Sequence, residues 1–205
     1  MISTSFATSV VCDPITPLVN FDVAKFAGTW YEQQHVVDPQ EPSYYQCSTA
    51  QYTDLSDDTE APDMKDFKVY NSFQTKVLGI WGPRVGVHAK AKCGTDGGCY
   101  VSFFGHAVPE PNLNVLETDY TTYAINYQCD TENNLVKLWM NTREADITDE
   151  FFNEIYAKAM KLVPSFDTST LMPRLTQGSM CSYKKLSESS EEVWGVSSLL
   201  AAMNF

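Results

Sequence analysis

The stretch FDVAKFAGTWYEQQHV, residues 21–36, decides the fold. Its first half places three apolar residues at short helical spacing: Phe21, Val23 and Phe26. Gly28 follows them as a common helix stop. From Trp30 onward, aromatic and polar side chains follow in the manner of a strand. The pattern predicts one turn of helix that leads into a strand headed by a tryptophan, and taken alone it indicates a buried aromatic residue there.

The composition is that of a globular, acidic chain. Its 205 residues are 43% hydrophobic, which is enough for one sizeable core. The 26 acidic and 14 basic side chains give a formal net charge of −12, so nucleic acid and anionic membrane surfaces would repel it. No apolar run approaches the ~20 residues of a membrane-spanning helix, so we expect no integral membrane segment. The first ten residues lack signal-peptide features, and we expect that such a peptide has been removed.

The cysteines favour an oxidising compartment. Their number is even and no CxxC spacing is present, which favours disulfides over a zinc site. In KCGTDGGCY (92–100), Cys93 and Cys99 flank a short turn, and their spacing predicts a bridged hairpin. The other four allow several pairings. We therefore predict a secreted or otherwise extracellular or lumenal protein.

Between Trp30 and Arg143 the sequence is a succession of short strand-like runs separated by turn signals. After the first strand, these runs cover 45–53, 67–74, 76–82, 84–92, 99–107, 113–120, 121–129 and 134–142. Short strands at close spacing predict a mostly β protein, either an antiparallel sandwich or a barrel.

One amphipathic helix follows the strands, in DITDEFFNEIYAKAMKLVP (146–164). Acidic residues open it, a single apolar stripe runs along it, and Pro164 ends it. Because only one face is apolar, we expect the helix to lie against the outside of the sheet.

Three separated motifs together resemble the lipocalin family. FAGTWYEQQHV resembles the family's first signature, NVLETDYTTYAINYQC is similar to its Thr-Asp-Tyr turn, and WMNTREADIT places Arg143 where the family has an arginine. The resemblance covers roughly residues 12–184, and is greatest to the branch of apolipoprotein D, retinol-binding, bilin-binding and crustacyanin proteins. It implies an eight-stranded antiparallel up-and-down β-barrel with the C-terminal helix packed outside.

The resemblance also assigns structural roles. It implies that Trp30 plugs the closed end of the barrel and that Arg143 lies across its ring, a cation–π contact of about 0.5–2 kcal/mol. Gly28, Asp119 and Tyr120 are structural in the same motifs. It further implies two disulfides that close long loops, Cys12–Cys129 and Cys47–Cys181.

A barrel of eight strands has room for one small ligand, and alternation along the strands predicts which side chains face it. The predicted ligand-binding residues are Glu32, Gln34, Tyr100, Ser102, Phe104, Asn126, Gln128, Lys137 and Trp139. Two alternatives stay open: a bulge would turn Glu32 to solvent, and the opposite register in CYVSFFG would point Val101 and Phe103 inward. The three histidines are scattered, so we predict no metal site.

The resemblance implies extracellular binding, transport or storage of a small hydrophobic ligand, as a monomer or a homo-oligomer. A bound carotenoid, bilin, retinoid or fatty acid would suit a lining with aromatic walls and a few polar groups, and we favour a pigment. The alternative is a lipocalin-like enzyme, an isomerase or de-epoxidase of a lipid or carotenoid, with Glu32 and Tyr100 as an acid–base pair. We predict no enzyme, because three bridges leave no thiol nucleophile. Capture of an anionic iron chelate fits the charge least.

Three segments make up the predicted domain organisation. Residues 1–20 form an N-terminal arm, 21–184 the barrel domain, and 185–205 an acidic and then apolar tail. For the tail we expect a loose terminal segment, with a lid over the barrel or a removed lipid-anchor signal as alternatives.

Overall fold

A computed structural model describes residues 10–16, 18–36, 45–55, 66–103, 105 and 107–183. The predicted tail therefore lies outside the described residues. The described part contains α1 (Val23–Phe26), β1 (Gly28–His35), β2 (Tyr45–Asp54), β3 (Phe67–Val77), β4 (Ile80–Cys93), β5 (Gly98–Phe103), β6 (Leu113–Thr118), β7 (Tyr123–Asp130), β8 (Leu135–Thr142) and α2 (Asp149–Leu162).

The strands form a closed antiparallel barrel. Each strand pairs with the next in sequence, and β1 also pairs with β8, with Tyr31 opposite Thr142. The first residues of β1 and β3 and the last residues of β4 share one core cluster, so they mark a common end of the barrel. The ends of β1, β3, β5 and β7 and the starts of β2, β4, β6 and β8 consequently lie at the opposite, open end. The predicted mostly β barrel is confirmed, and the sandwich is excluded.

One predicted strand does not exist as a separate element. Residues 76–82 contain the end of β3, a two-residue turn and the start of β4, where Val77 pairs with Ile80. The turn residues Leu78 and Gly79 have φ of 51° and 81°, which reverses the chain in the middle of an apolar run. The β3–β4 hairpin, defined here as Phe67–Cys93, is therefore one long ribbon.

The C-terminal helix packs outside the barrel, as predicted. The Thr148 side chain caps α2 by accepting from the backbone N–H of Phe151, and acidic residues occupy the first turn. Its buried residues Ile155 and Ala159 join the outward side chains of β7 and β8 in a second core cluster.

Three disulfides tie the chain together: Cys12–Cys129, Cys47–Cys181 and Cys93–Cys99. The first two span 117 and 134 residues of sequence. Loops of this length correspond to roughly 4–5 kcal/mol of stabilisation each in the chain-entropy model. All six cysteines are bridged, so the chain has no free thiol.

Trp30 and Arg143 close the barrel base. Trp30 is 1% exposed, and its indole N–H donates to the Phe26 carbonyl oxygen over 3.0 Å. The guanidinium carbon of Arg143 lies 3.6 Å from the centroid of the Trp30 ring. Its nitrogens also donate to five backbone carbonyl oxygens, those of Lys25, Phe26, Ala27, Thr29 and Tyr120. A planar guanidinium with several fixed donors suits this position, because one face can stack while the edge donates.

Gly28 leaves space for the Arg143 side chain, and the Asp119–Tyr120 turn supplies one of its hydrogen-bond acceptors. A Cβ atom at Gly28, where φ is 107°, would lie 2.9 Å from an Arg143 nitrogen. Asp119 accepts backbone N–H groups of residues 121–123, which fixes the turn. The Tyr120 hydroxyl accepts the backbone N–H of Asp22 over 3.1 Å, so the turn also holds the start of α1.

Candidate functional site

A cavity of about 950 Å³ lies inside the barrel above Trp30. This volume is at the upper end of the range for sites that take drug-sized molecules. All eight strands or their open-end connections contribute, but side-chain chemistry differs around the wall. One side is polar and the other apolar.

The polar wall is formed by β1, β7 and β8. Four of the predicted residues on β7 and β8 line it together with Asn141: Asn126, Gln128, Lys137 and Trp139. The strand register explains the grouping, because Asn126 lies opposite Trp139 and Gln128 lies opposite Lys137. On the other side of β8, Glu32 of β1 lies opposite Asn141.

Glu32 and His35 form a buried pair in this wall. The His35 Nδ1 atom lies 2.7 Å from a Glu32 carboxylate oxygen, and both side chains are largely buried. Burial by itself raises the pKa of Glu32, but the charge and hydrogen bond of His35, a hydrogen bond from Ser48 and the charge of Lys137 outweigh it and hold the pKa below its ordinary value. The surroundings of Glu32 therefore favour its ionised form inside the cavity.

A bulge in β1 corrects one prediction. Between Glu32 and Gln34 the pairing with β8 shifts by one residue, so the next inward side chain after Glu32 is that of His35. Gln34 does not line the cavity, and its amide N–H donates to the Met172 carbonyl oxygen over 2.6 Å. The bulge comes after Glu32, which is why Glu32 keeps its inward position.

The register of β5 corrects two more predictions. Val101 and Phe103 line the cavity, whereas Tyr100 and Ser102 do not. The alternative register left open by the sequence is the observed one, because Cys93 and Cys99 are directly opposite each other and fix the pairing of β4 with β5. Phe104 lies outside the described residues. Glu32 and Tyr100 are therefore not brought together, and the proposed acid–base pair is absent.

The apolar wall is formed by β3, β4 and β5. Most of its side chains are aliphatic or aromatic and face the polar wall across the cavity: Val69, Phe73, Val87, Val101 and Phe103. Tyr45 of β2 stacks on Phe73 with ring centroids 3.6 Å apart. Tyr52, deeper in the cavity, has a pKa raised by burial and by the Glu32 charge, so its hydroxyl stays protonated.

Two amide oxygens in the wall are unpartnered. In the described part of the chain, the side-chain oxygens of Asn71 and Asn126 are buried and accept no hydrogen bond. Asn71 is on β3 and Asn126 on β7, four strands apart in a barrel of eight, so they stand on opposite sides of the cavity. Leaving a buried acceptor unsatisfied costs about 1–3 kcal/mol. A ligand with N–H or O–H groups would supply the missing donors.

His35, Asn71 and the apolar pair on β5 are the lining residues that sequence reasoning missed or left undecided. Strict alternation from Phe67 through Val69 would have placed Asn71 on the inward face of β3. No sequence signal marks the bulge that turns His35 inward. Among the described residues, no group of three or more His, Cys, Asp or Glu side chains could hold a metal ion, and no described helix is long and apolar enough to cross a membrane.

Comparisons of sequence find insect relatives. The chain is 33% identical over 121 residues to Insecticyanin-A of Manduca sexta, which covers 58% of this chain and 59% of that protein. The match thus spans less than two thirds of the relative's length. No protein-family model matches the chain.

Comparisons of structure find the same barrel. The structure of insecticyanin from the tobacco hornworm, Manduca sexta, matches with a TM-score of 0.62 and 23% identity, over 86% of this chain and 92% of that one. Lobster apocrustacyanin A1 matches with a TM-score of 0.54 and 18% identity, over 82% of this chain and 94% of that one. At these identities the two likenesses show a common fold.

Proposed function

This chain has the lipocalin fold, and from that premise we propose that it binds a small, elongated, hydrophobic pigment in its barrel for transport or storage outside the cell. The observation that carries the proposal is the cavity of about 950 Å³, which combines aliphatic and aromatic lining with two unpartnered amide oxygens on opposite sides. An apolar molecule with a few hydrogen-bond donors matches both features.

Among pigments, the cavity favours a linear tetrapyrrole. Such a molecule carries N–H groups along a flat conjugated body, and these could donate to Asn71, Asn126 and the Glu32 carboxylate. A hydrocarbon carotenoid would leave the Asn71 and Asn126 oxygens unsatisfied, which costs affinity. Retinoids, fatty acids and hydroxylated carotenoids carry polar groups only at their ends and would satisfy fewer acceptors.

The three disulfides support an extracellular or lumenal location, since such bonds persist in oxidising compartments. The enzyme alternative has less support. All cysteines are bridged, and Tyr100 does not face the cavity. The barrel domain as a whole would act as a container, with the arm and tail outside the binding role.

Pigment titration tests the proposal. The purified protein is titrated with a bilin, a hydroxylated carotenoid, a hydrocarbon carotenoid and a fatty acid, and the visible absorption and tryptophan fluorescence are recorded. We expect saturable binding of one bilin per barrel, with a visible band displaced from that of the free pigment. Absence of saturable binding by every compound would contradict the proposal.

Two variants locate the site. Asn126→Leu removes one acceptor, and we expect bilin affinity to fall about tenfold, equivalent to about 1.4 kcal/mol. Ser102→Ala is the matched control, because Ser102 is buried but does not line the cavity. Equal affinities of the two variants for the bilin would show that the amide does not contact the pigment.

A further inference from the structure

The β3–β4 hairpin differs in charge from the remainder of this acidic protein. Between Asp66 and Asp96 the sequence contains no Asp or Glu, while Phe67–Cys93 carries five Lys or Arg residues: Lys68, Lys76, Arg84, Lys90 and Lys92. The chain as a whole has a net charge of −12. The hairpin is thus a locally basic ribbon, and its turn stands at the rim of the open end of the barrel.

The turn of the hairpin is apolar and exposed. Leu78 is 97% exposed, Ile80 is 74% exposed and Val77 is 51% exposed. Three neighbouring aliphatic side chains in water are unusual on a globular protein, where isolated apolar residues are common but clusters mark contact sites. We call residues Lys76–Trp81 the hairpin tip.

Leu78 is unfavourable in its own turn on two counts. The turn has φ above zero at both central residues, 51° at Leu78 and 81° at Gly79. Asn or Gly is the usual first residue of such a turn, because a larger side chain in the left-handed region is strained. Neither a backbone preference for this turn nor burial of the side chain therefore explains a leucine at position 78. A contact outside the protein would account for it.

Trp81 and Lys76 complete the tip. The Lys76 ammonium lies 4.8 Å from the centroid of the Trp81 ring, on the half-buried part of the ribbon just behind the exposed leucine. Aliphatic residues backed by a tryptophan and a lysine are the arrangement that occupies a membrane–water interface, with the apolar groups below the headgroups and the amphipathic ones level with them.

The small area of the tip decides between a protein and a lipid partner. Stable protein–protein interfaces bury about 1,200–2,000 Å² in total, with about 20–30 residues on each side. A tip with three exposed aliphatic residues is far below that size. Insertion into a lipid surface requires only that a few apolar groups leave water.

The other open-end loops restrict the kind of lipid. Asp130 ends β7, Glu132 lies in the β7–β8 connection and Glu110 in the β5–β6 connection, and the protein as a whole is acidic. An anionic bilayer would repel these groups. A neutral, zwitterionic surface imposes no such repulsion, and its phosphate groups can accept from Lys76.

We propose that the hairpin tip inserts into neutral phospholipid surfaces and so holds the open end of the barrel against the lipid. The contact with lipid stands on the tip alone, whereas its role in loading a pigment rests on the proposed function. A hydrophobic ligand would then enter the cavity from lipid without crossing bulk water.

Vesicle flotation of the full-length, disulfide-bonded protein tests the contact. Phosphatidylcholine vesicles are mixed with the wild type, with Leu78→Asn and with Val19→Ser. Val19 is 85% exposed but lies in the N-terminal arm near the closed end, so it is a matched control. We expect Leu78→Asn to reduce the floated fraction at least fivefold and Val19→Ser to leave it unchanged.

Leu78→Asn cannot fail merely by misfolding, because asparagine suits the turn better than leucine, and we expect its midpoint of thermal unfolding to be equal or higher. Wild-type protein that does not float, or Leu78→Asn protein that floats equally well, would overturn the proposal. Sedimentation without vesicles tests whether the partner is a second copy of this chain. A wild-type dimer that becomes a monomer in Leu78→Asn would assign the tip to dimerisation instead. Limited proteolysis tests a third partner, the chain's own C-terminal segment. If residues 184–205 were protected in the wild type and cleaved in Leu78→Asn, the tip would be assigned to a contact with that segment instead.

Pigment-loaded vesicles separate the two proposals. We expect Leu78→Asn to slow pigment transfer from vesicles while its affinity for pigment added from solution is unchanged. Flotation without any pigment binding would refute the proposed function and leave the lipid contact standing. Pigment binding without flotation would refute the lipid contact and leave the proposed function standing.

Discussion

The two ends of the barrel satisfy their polar groups in opposite ways. At the closed end, Arg143 donates to five backbone carbonyls and stacks on Trp30, whose own N–H is bonded. In the cavity, by contrast, the oxygens of Asn71 and Asn126 accept nothing within the described residues. The polar groups of the closed end are thus bonded within the fold, whereas the cavity retains two acceptors that no described residue uses.

The largest expected effect is at the closed end. Trp30→Ala should lower the free energy of unfolding by about 3–5 kcal/mol, because it removes a large, fully buried side chain. Ligand preference should be unchanged in the protein that remains folded. Denaturant titration and pigment titration measure the two quantities.

Trp139→Ala is the matched variant in the cavity, where the tryptophan is half-buried and lines the wall. It should cost less stability and more ligand affinity than Trp30→Ala. If Trp30→Ala kept parental stability and lost binding, the contrast between the ends would be wrong.

Arg143→Lys should have the next largest effect, a loss of about 2–3 kcal/mol. Lysine keeps the charge but cannot stack a planar group and donate along its edge at the same time. Thermal or chemical unfolding checks this value. Arg174→Lys is the control, since Arg174 bonds at the surface to Asp149 and one carbonyl, and it should change stability by less than about 1 kcal/mol. Similar losses in both variants would mean that charge alone matters at position 143.

A change in the cavity should act in the opposite direction. Asn126→Leu should leave the stability of the ligand-free protein unchanged or raise it by about 1 kcal/mol, because a buried acceptor without a donor is removed. Thr49→Val is the contrast, since Thr49 is buried and bonded to Ser72 over 3.0 Å, so it should lose about 1 kcal/mol. Destabilisation by Asn126→Leu equal to that of Thr49→Val would show that the amide is satisfied.

The smallest expected effect is a pH dependence in the cavity. The pKa of Glu32 is lowered in the folded protein, so its ionised form contributes stability that is complete above the ordinary carboxyl pKa of 4.5 and is lost as the pH falls through the lowered folded value. The stability difference between wild type and Glu32→Gln should therefore shrink on acidification. Unfolding curves measured from neutral to acidic pH test this. A difference that stays constant, or grows as the pH falls, would contradict the assignment.

Sequence patterns predicted the barrel well and its lining only in part. Trp30 and Arg143, which close the barrel base, stand in motifs that the sequence shows directly. Alternation between inward and outward side chains is undisturbed on β7 and β8, so the sequence predicted four lining residues that the structure also places in the cavity wall: Asn126, Gln128, Lys137 and Trp139. Gln34 was misplaced because a bulge has no residue signature in YEQQH. Alternation along a strand therefore predicts the inward side chains only as far as the first bulge.

On β5 the sequence was ambiguous for another reason. CYVSFFG contains aromatic residues at both odd and even positions, so polarity does not distinguish the inward face from the outward one. The register is set by the pairing of β5 with β4 across a short turn, in which Cys93 lies directly opposite Cys99. The alternation within CYVSFFG does not by itself contain that pairing. Tyr100 and Ser102 were assigned to the wrong face for that reason.

The two long-range disulfides also determine what happens if the chain is cut. Cys12 and Cys47 both precede the acidic segment 56–65, and their partners Cys129 and Cys181 both follow it. A protease that cleaves once within that segment would produce two polypeptides joined by two covalent links. The nicked molecule would therefore gain only the mass of one water molecule, and reduction of both disulfides would be needed to release the fragments. The barrel cavity would therefore stay enclosed after the chain had been broken.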